Sequence, residues 1–414
     1  MWAAYNAPMD WVYLDNNATT KPDPEVVAAM HEIQTELWAN PSSVHRFGQM
    51  ARHRMELARA EVAGLIGARD RELVFTSGGT ESNNLALSGL LEPSGGALLT
   101  TRTEHSAVRE PAERLGDLGV RVLYVPVEPD GSVAPEALGA SLRELGEECG
   151  RGDVPVVVSI QWANNETGII QPIAQLSALV AQWRRESGRR KVFLHVDGTQ
   201  AVGKIPVDVK DAGVDLLTLS AHKFHGPKGI GALYVRSGVR LRPRQLGGPQ
   251  ERERRGGTEH TAGIVGFGVA ATLAKKFLAD AGRISELGRL RDRLEEGILE
   301  AFPRTINNAA GAAARPRGRL WNTSNLGFEG LEAEAILLGL SERGVCASAG
   351  AACSSGSLDP SPVLLAMGIP EPVAHGSVRF SLSRFTAPGE IEQAIRVVPE
   401  VVARLSETMP TAAP

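Results

Sequence analysis

HVDGTQAVGKIPVDVKDAGVDLLTLSAHKFHGPKG, residues 195–229, decides how the chain is read. Asp197 closes a short apolar run, Val192 to Val196, that reads as a buried strand. Lys223 lies just past a second run, Val214 to Leu219, inside Ser-Ala-His-Lys. A carboxylate and an amine at the C-terminal ends of two parallel strands can face one crevice. That pair suits an aldehyde cofactor with a basic pyridine ring, pyridoxal 5′-phosphate (PLP). The lysine forms the Schiff base, and the aspartate keeps the pyridinium nitrogen protonated so that the ring accepts electrons. Taken alone, an Asp and a Lys this far apart are more often two solvated surface charges, so the surrounding sequence has to decide.

Outward from this stretch, strand patterns recur at Glu72–Thr76, Ala97–Thr101, Arg121–Val125, Val154–Ile160 and Ile230–Val235, with helical spacing between them. Alternation of this kind is the mark of an α/β domain with a mainly parallel sheet. Three strand ends carry polar clusters: TEHSAV (103–108), NNETG (164–168) and DGTQ (197–200). Ligands collect at such ends. His105 suits stacking on a flat ring or carrying a proton, although a lone loop histidine is more often solvated. Asn165 suits a ring hydroxyl or a simple turn.

The strand ending at Thr76 runs into SGGTESNN (77–84) and then a helix. Glycines that admit backbone amides, followed by a helix N-terminus, make a phosphate cradle, with Thr80 and Ser82 as hydroxyl donors. A plain helix cap explains the same residues equally well. The Gly- and Arg-rich stretch LGGPQERERRGGTEH (246–260) reads as an exposed connector, a second phosphate contact or a subunit-contact loop. A long apolar helix pattern follows, and the domain boundary is placed near Thr261.

The remainder reads as an α+β companion domain, with helices at 283–302, 332–342 and from about 388, and strands around Leu320–Leu326 and Gly344–Ala347. Cys353 sits in SAGAACSSGS (348–357), among small residues that cannot bury it tightly. An exposed thiol on a mobile loop is a reactive one, although free cysteine is usually a small core residue. Cys346 reads as core, and Cys149 has no chemical neighbourhood. Arg379, in a strand of alternating polarity, suits clamping a substrate carboxylate; an exposed strand arginine is the competing reading.

The chain has 414 residues, enough for two domains of ordinary size. Its formal net charge of −4 gives no reason to expect nucleic acid or an anionic membrane. No apolar run approaches the roughly 18–20 residues of a membrane span, and the N-terminus lacks a secretory pattern. Three cysteines make no disulfide framework, so a cytoplasmic protein with reduced thiols is expected. No metal site is assigned.

YLDNNATT, SGGTESNN, TEH, NNETG, HVDGTQ, SAHKFHGPKGIG, ERERRGGTEH, AACSSG and VRFSLSRFT occur in this order from Tyr13 to Thr386. The series resembles the cysteine desulfurases of the NifS/IscS type, PLP enzymes of the class V aminotransferase family. The resemblance implies fold type I, with a large domain (21–261) built on a mainly parallel seven-stranded sheet. It adds a small C-terminal domain (262–414) that carries the cysteine loop and packs with the N-terminal segment (1–20). It implies that Lys223 bears the cofactor, with Lys228 the alternative that spacing alone leaves open. Asp197 would pair with the ring nitrogen, His105 stack on the ring, and Asn165 and Gln200 contact its hydroxyl side. Gly79, Thr80, Ser220 and His222 would hold the phosphate, with Thr258 reaching across a homodimer interface.

Arg379, with Asn165, would bind the substrate carboxylate, and Cys353 would be the nucleophile. The implied reaction takes L-cysteine to L-alanine. Lys223 moves the Cα proton, His105 takes a thiol proton, and Cys353 carries the sulfur as a persulfide to an acceptor, for instance in iron–sulfur cluster assembly. Pro249 and Glu253 stand where the family often has Gly, and residues 146–153 and 186–190 read as surface insertions. A selenocysteine lyase or a plain aminotransferase is the alternative within the family. A non-catalytic sulfur-assembly scaffold is the alternative of another class.

Overall fold

The structure is a computed structural model that describes residues 11–92, 95–148, 154–310, 318–350 and 359–408. Cys149, Cys353, most of the 310–318 loop, the later half of the 146–153 insertion and the closing MPTAAP lie outside the described residues. The chain divides into two compact units. The larger holds Thr20–Asn164 and Ile169–Asp280, and the smaller holds the residues up to Thr19, Asn165–Gly168 and the chain from Ala281 onward.

Seven strands form the sheet of the larger unit: β2 (Leu73–Thr76), β3 (Ala97–Thr100), β4 (Arg121–Tyr124), β5 (Val156–Ser159), β6 (Val192–Asp197), β7 (Leu216–Ser220) and β8 (Gly231–Val235), in the order β2-β8-β7-β6-β5-β3-β4. β3 pairs parallel with β4 and β5, as do β5 with β6 and β6 with β7; β8 runs antiparallel between β7 and β2. Runs such as Val156–Val157–Val158 and Leu216–Leu217 are buried throughout because helices cover both faces of a parallel sheet. Between the strands lie α3 (Gly79–Leu91), α4 (Ser106–Asp117), α5 (Pro135–Glu148) and α6 (Ile173–Ser187).

Three further helices pack together in this unit: α1 (Pro24–Glu36), α2 (Arg46–Leu65) and α8 (Thr261–Ala279). Asp23 caps α1 by accepting from the Glu25 amide, with Pro24 at the first position, where its missing N–H costs nothing. α8 is long and apolar enough to cross a membrane by length and composition, a pattern the sequence reading passed over. Its apolar side chains are met instead by α1 and α2. At Gly268 the helices approach so closely that an added Cβ would stand 2.6 Å from that of Ala58. This packing keeps α8 with the larger unit, so the division falls after Asp280 rather than near Thr261. The one-turn segment α7 (Gln250–Glu253) precedes it.

The smaller unit has an antiparallel sheet, β12 (Ser377–Ser381), β10 (Thr323–Phe328) and β9 (Thr305–Asn307), in the order β12-β10-β9. A parallel pair joins β1 (Val12–Tyr13) to β11 (Val345–Cys346). The N-terminal segment thus belongs to this unit, and Asn16 donates its Nδ2 to the Ser381 carbonyl. α9 (Ala281–Ala301) packs against α13 (Pro388–Thr408), which also packs against α10 (Ala333–Ser341). α11 (Pro362–Ala366) and α12 (Glu371–His375) complete it.

Candidate active site

Asp197 is the last residue of β6, and its Cα pairs in register with Thr218 of the neighbouring parallel strand β7. Two residues beyond Thr218, β7 ends at Ser220 and tightens into a 3-10 turn, Ala221–Lys223. The carboxylate and the lysine therefore leave the same end of adjacent strands, where open α/β sheets bind ligands. Asp197 is buried. Its Oδ2 accepts from Asn83 Nδ2 on α3 at 2.8 Å, and its Oδ1 from the Thr199 amide at 2.9 Å. These two bonds fix the plane of the carboxylate.

The lysine turn is strapped from outside. Thr20 donates its amide and hydroxyl to the His222 carbonyl at 2.9 and 3.0 Å, and its Oγ1 accepts from the His225 amide. Lys223 is partly buried whereas Lys228 is exposed. Burial, with Lys223 and Lys228 close by, pushes the His222 imidazole down to about 3, so it is neutral at ordinary pH.

At the N-terminus of α3, the buried hydroxyl oxygens of Ser220 and Thr199 have no hydrogen-bond partner. Gly79 opens the helix between them. A Cβ there would stand 3.0 Å from Thr199 Oγ1 and 3.8 Å from Ser220 Cβ. Gly231 lets β8 pass directly under Gly78, where a Cβ would meet the Gly78 backbone at 2.7 Å. Unsatisfied donors, a 13-residue helix N-terminus and a floor of glycines fit a phosphate. Together with Asp197 and Lys223, this donor set fits PLP.

His105 caps α4, its Nδ1 accepting from the Ala107 amide at 3.0 Å. A neutral ring so engaged carries its hydrogen on Nε2, which makes His105 a stacking surface and an Nε2–H donor. A thiol proton has no seat on it unless the cap is given up. Glu104, fully buried beside it, accepts from the Gln161 amide at 2.6 Å, while Gln161 Nε2 and Asn164 Nδ2 donate to the Thr103 carbonyl. The loops after β3 and β5 are thereby tied together. Burial pushes the Glu104 carboxyl well above the usual range, with the Asp197 charge adding to the effect. Under the sheet end, the buried ring of His195 bridges Ser159 Oγ (2.8 Å) and Thr218 Oγ1 (3.1 Å), crossing three strands. Burial lowers that imidazole to about 4.

Gln200 is buried and accepts from Lys204 Nζ at 2.5 Å. Thr80 is exposed, and its carbonyl accepts from Asn84. Thr258 is exposed too, and with Ser77 and Gly229 borders a cavity of about 140 Å³ in its own chain.

Arg379, in the smaller unit, is 1% exposed, which excludes the surface reading. Its Nη1 donates to the carbonyls of Asn165 (2.9 Å) and Gly350 (2.7 Å), and its Nη2 to Asp15 Oδ1 (2.7 Å). Its buried Nε has no partner. The edge holding Nε–H and the remaining Nη2 hydrogen suits a carboxylate. Asn165 also lies in this unit, with a buried Oδ1 that has no partner. Cys346 is partly exposed rather than core. Burial and the nearby Asp15 charge raise its thiol, which disfavours the thiolate. Cys353 lies outside the described residues.

The larger unit therefore gathers Gly79, Thr80, His105, Asp197, Gln200, Ser220, His222, Lys223 and Thr258, and the smaller holds Asn165 and Arg379. Sequence reasoning missed Asn83 and Thr199, which hold Asp197. Both lie inside stretches the sequence marks as polar, SGGTESNN and DGTQ, and that was the available signal.

The family model for aminotransferase class V matches residues 12–394. The chain is 46% identical over 404 residues to cysteine desulfurase 2 of Trichormus variabilis, covering 97% of this chain and 96% of that protein. Among solved structures it resembles a NifS-like protein, with a TM-score of 0.84 and 33% identity over 95% of this chain and 100% of that one. It also resembles SspA in complex with cysteine, with a TM-score of 0.74 and 31% identity over 91% of this chain and 99% of that one.

Proposed function

The chain belongs to the class V aminotransferase family, among its cysteine desulfurases, and from that premise we propose that it converts L-cysteine to L-alanine and hands the sulfur to an acceptor. The observation that carries this reading is the placement of Asp197 and the Lys223 turn at the same end of neighbouring parallel strands, beside two partnerless hydroxyls at a helix N-terminus.

PLP would be held by Lys223 through its aldehyde, by Asp197 at the ring nitrogen, and by Gly79, Ser220, Thr199 and His222 around the phosphate. His105 would lie on the ring face, with Gln200 and Asn165 toward the hydroxyl. When bound, the cofactor supplies an electron sink that loosens the substrate's Cα–H and Cβ–S bonds.

The chain's own groups do the rest. Neutral His222 and the Ser220 and Thr199 hydroxyls bind an anion without adding a competing charge. Asn83 and the Thr199 amide keep the Asp197 carboxylate aimed. Lys223 Nζ takes the substrate's Cα proton, and a proton is restored to Cα before L-alanine leaves. Arg379 holds the substrate carboxylate on its Nε edge, while Asp15 and two carbonyls keep the guanidinium planar to it.

The Cys353 thiolate forms an S–S bond to the substrate sulfur as the Cβ–S bond breaks. The electron pair stays with carbon, which is protonated. L-cysteine and a thiol enter; L-alanine and a persulfide leave. The protein acts as a homodimer, with Thr258 serving the neighbouring site, and works in the cytoplasm, where its three thiols stay reduced.

Replacing Lys223 with Ala tests the reading. The purified protein should lose the visible absorption of lysine-bound cofactor and all alanine formation, while Lys228→Ala keeps both. A yellow, active Lys223→Ala protein would overturn it. The acceptor's identity is open to capture of persulfide partners.

A further inference from the structure

Glu166, in NNETG, has no part in the chemistry above, yet it is 2% exposed. Its Oε2 accepts from Ser361 Oγ at 2.5 Å. The same oxygen lies against Gly350. A Cβ on that glycine would stand 2.5 Å from Oε2, and φ is +85° there, so only glycine admits the contact. Gly350 is held further by its carbonyl, which accepts from Arg379 at 2.7 Å, and the Glu166 carbonyl is fixed by Asn325 Nδ2 at 3.2 Å. All these residues belong to the smaller unit. Gly350 and Ser361 are the two feet of the stretch that carries Cys353. One buried carboxylate touches both.

We propose that Glu166 is a positioning residue for sulfur transfer: its carboxylate pins Gly350 and Ser361 and so fixes where the Cys353 stretch leaves and rejoins the unit. This rests on the desulfurase reading. Anchoring both ends of a short chain sets the effective concentration of any group on it, and a misplacement of about 1 Å can cost 100-fold in rate. The pin shares Arg379 with the substrate clamp, so the feet of the stretch and the substrate carboxylate are referred to one guanidinium.

The test uses the PLP-loaded protein and the variants Glu166→Ala, Glu166→Gln and Ser361→Ala. Cofactor content, the cysteine concentration giving half the spectral change, and the single-turnover rate of persulfide formation on Cys353 are measured. Glu166→Ala should keep the first two within about two-fold of the parent and slow the third at least about ten-fold. Glu166→Gln, whose amide oxygen still accepts from Ser361, should recover most of the rate. Ser361→Ala should slow it as Glu166→Ala does, and serves if that variant does not fold.

Unchanged persulfide formation in both alanine variants would overturn the proposal. So would a proportional loss of cofactor, binding and rate that glutamine does not rescue. Protease cleavage between residues 350 and 361 gives a readout independent of activity. It should be several-fold faster in Glu166→Ala, and equal rates overturn the pinning. A parent protein that forms no persulfide sinks the desulfurase reading instead, and the cleavage rates still decide the pinning.

Discussion

Two imidazoles, one buried and one partly buried, are held neutral at the site. His195, held between Ser159 and Thr218, has its pKa lowered to about 4, and His222, beside Lys223, to about 3, each chiefly by burial. Both start from an ordinary value of 6.5. Below 6.5 the unfolded chain binds protons that the folded chain refuses, so stability falls as pH drops through that value and goes on falling toward 4 and 3. Between pH 7.5 and 5.5 the loss is on the order of 1 kcal/mol for each ring. Glu104, whose carboxyl is raised by burial, works in the opposite sense over the same range, so the readout is a difference: the urea midpoint of the parent should respond to acid more unfavourably than that of His195→Gln. Equal pH slopes in the parent and His195→Gln contradict the assignment of a neutral His195. The reach of sequence reasoning shows at this scale too. His222 was legible from its place beside Lys223. His195 was not, because only the register of three strands reveals that both ring nitrogens are bonded.

The segment α7 and its flanks show what an element can demand of its residues. Glu251, Arg252 and Glu253 have φ of 46°, 58° and 63°, three successive side chains in the left-handed region. Glu251 gains from it. The carboxylate meets both Nη atoms of buried Arg59 at 2.9 and 2.7 Å and accepts from the Phe75 amide at 2.9 Å. Glu253 is exposed and has no such return. Glu253→Gly should stabilise by about 0.5 kcal/mol, because glycine adopts the left-handed region without a Cβ penalty. Glu251→Gly should cost about 3–5 kcal/mol, because it strands a buried guanidinium. Chemical denaturation of the two variants checks this, and a Glu253→Gly loss as large as that of Glu251→Gly contradicts it. The seven strands of the larger unit were legible to within two residues, from apolar runs such as Val156–Val158, whereas in the smaller unit β10 was read three residues too early and β9 was not read. The reversed direction of β8 was not drawn out, although the ten residues from Ala221 to Ile230 are too few for a parallel crossover.

Across the whole molecule, the division into units follows packing rather than composition. The chain turns apolar at Thr261, which drew the sequence boundary there. Yet α8 completes a three-helix layer with α1 and α2, and the smaller unit begins only at Ala281. Likewise, Asn165–Gly168 joins the smaller unit because Asn165 and Glu166 bond to Arg379, Asn17, Asn325 and Ser361, partners more than a hundred residues away in sequence. No local pattern carries that information. If Thr258 serves a neighbouring copy, light scattering should give the mass of two chains. Thr258→Ala should weaken cofactor retention without dissociating them. A fully cofactor-loaded monomer contradicts this.

The central claim joins a lysine–aspartate cofactor site to a thiol that receives sulfur. One turnover with isotopically labelled L-cysteine, followed by mass analysis of the peptide containing Cys353, tests that join. One labelled sulfur should be found on Cys353 for each alanine formed, and neither should form in the Cys353→Ser protein. Alanine produced at the full rate with Cys353 unlabelled, or by the Cys353→Ser protein, contradicts it.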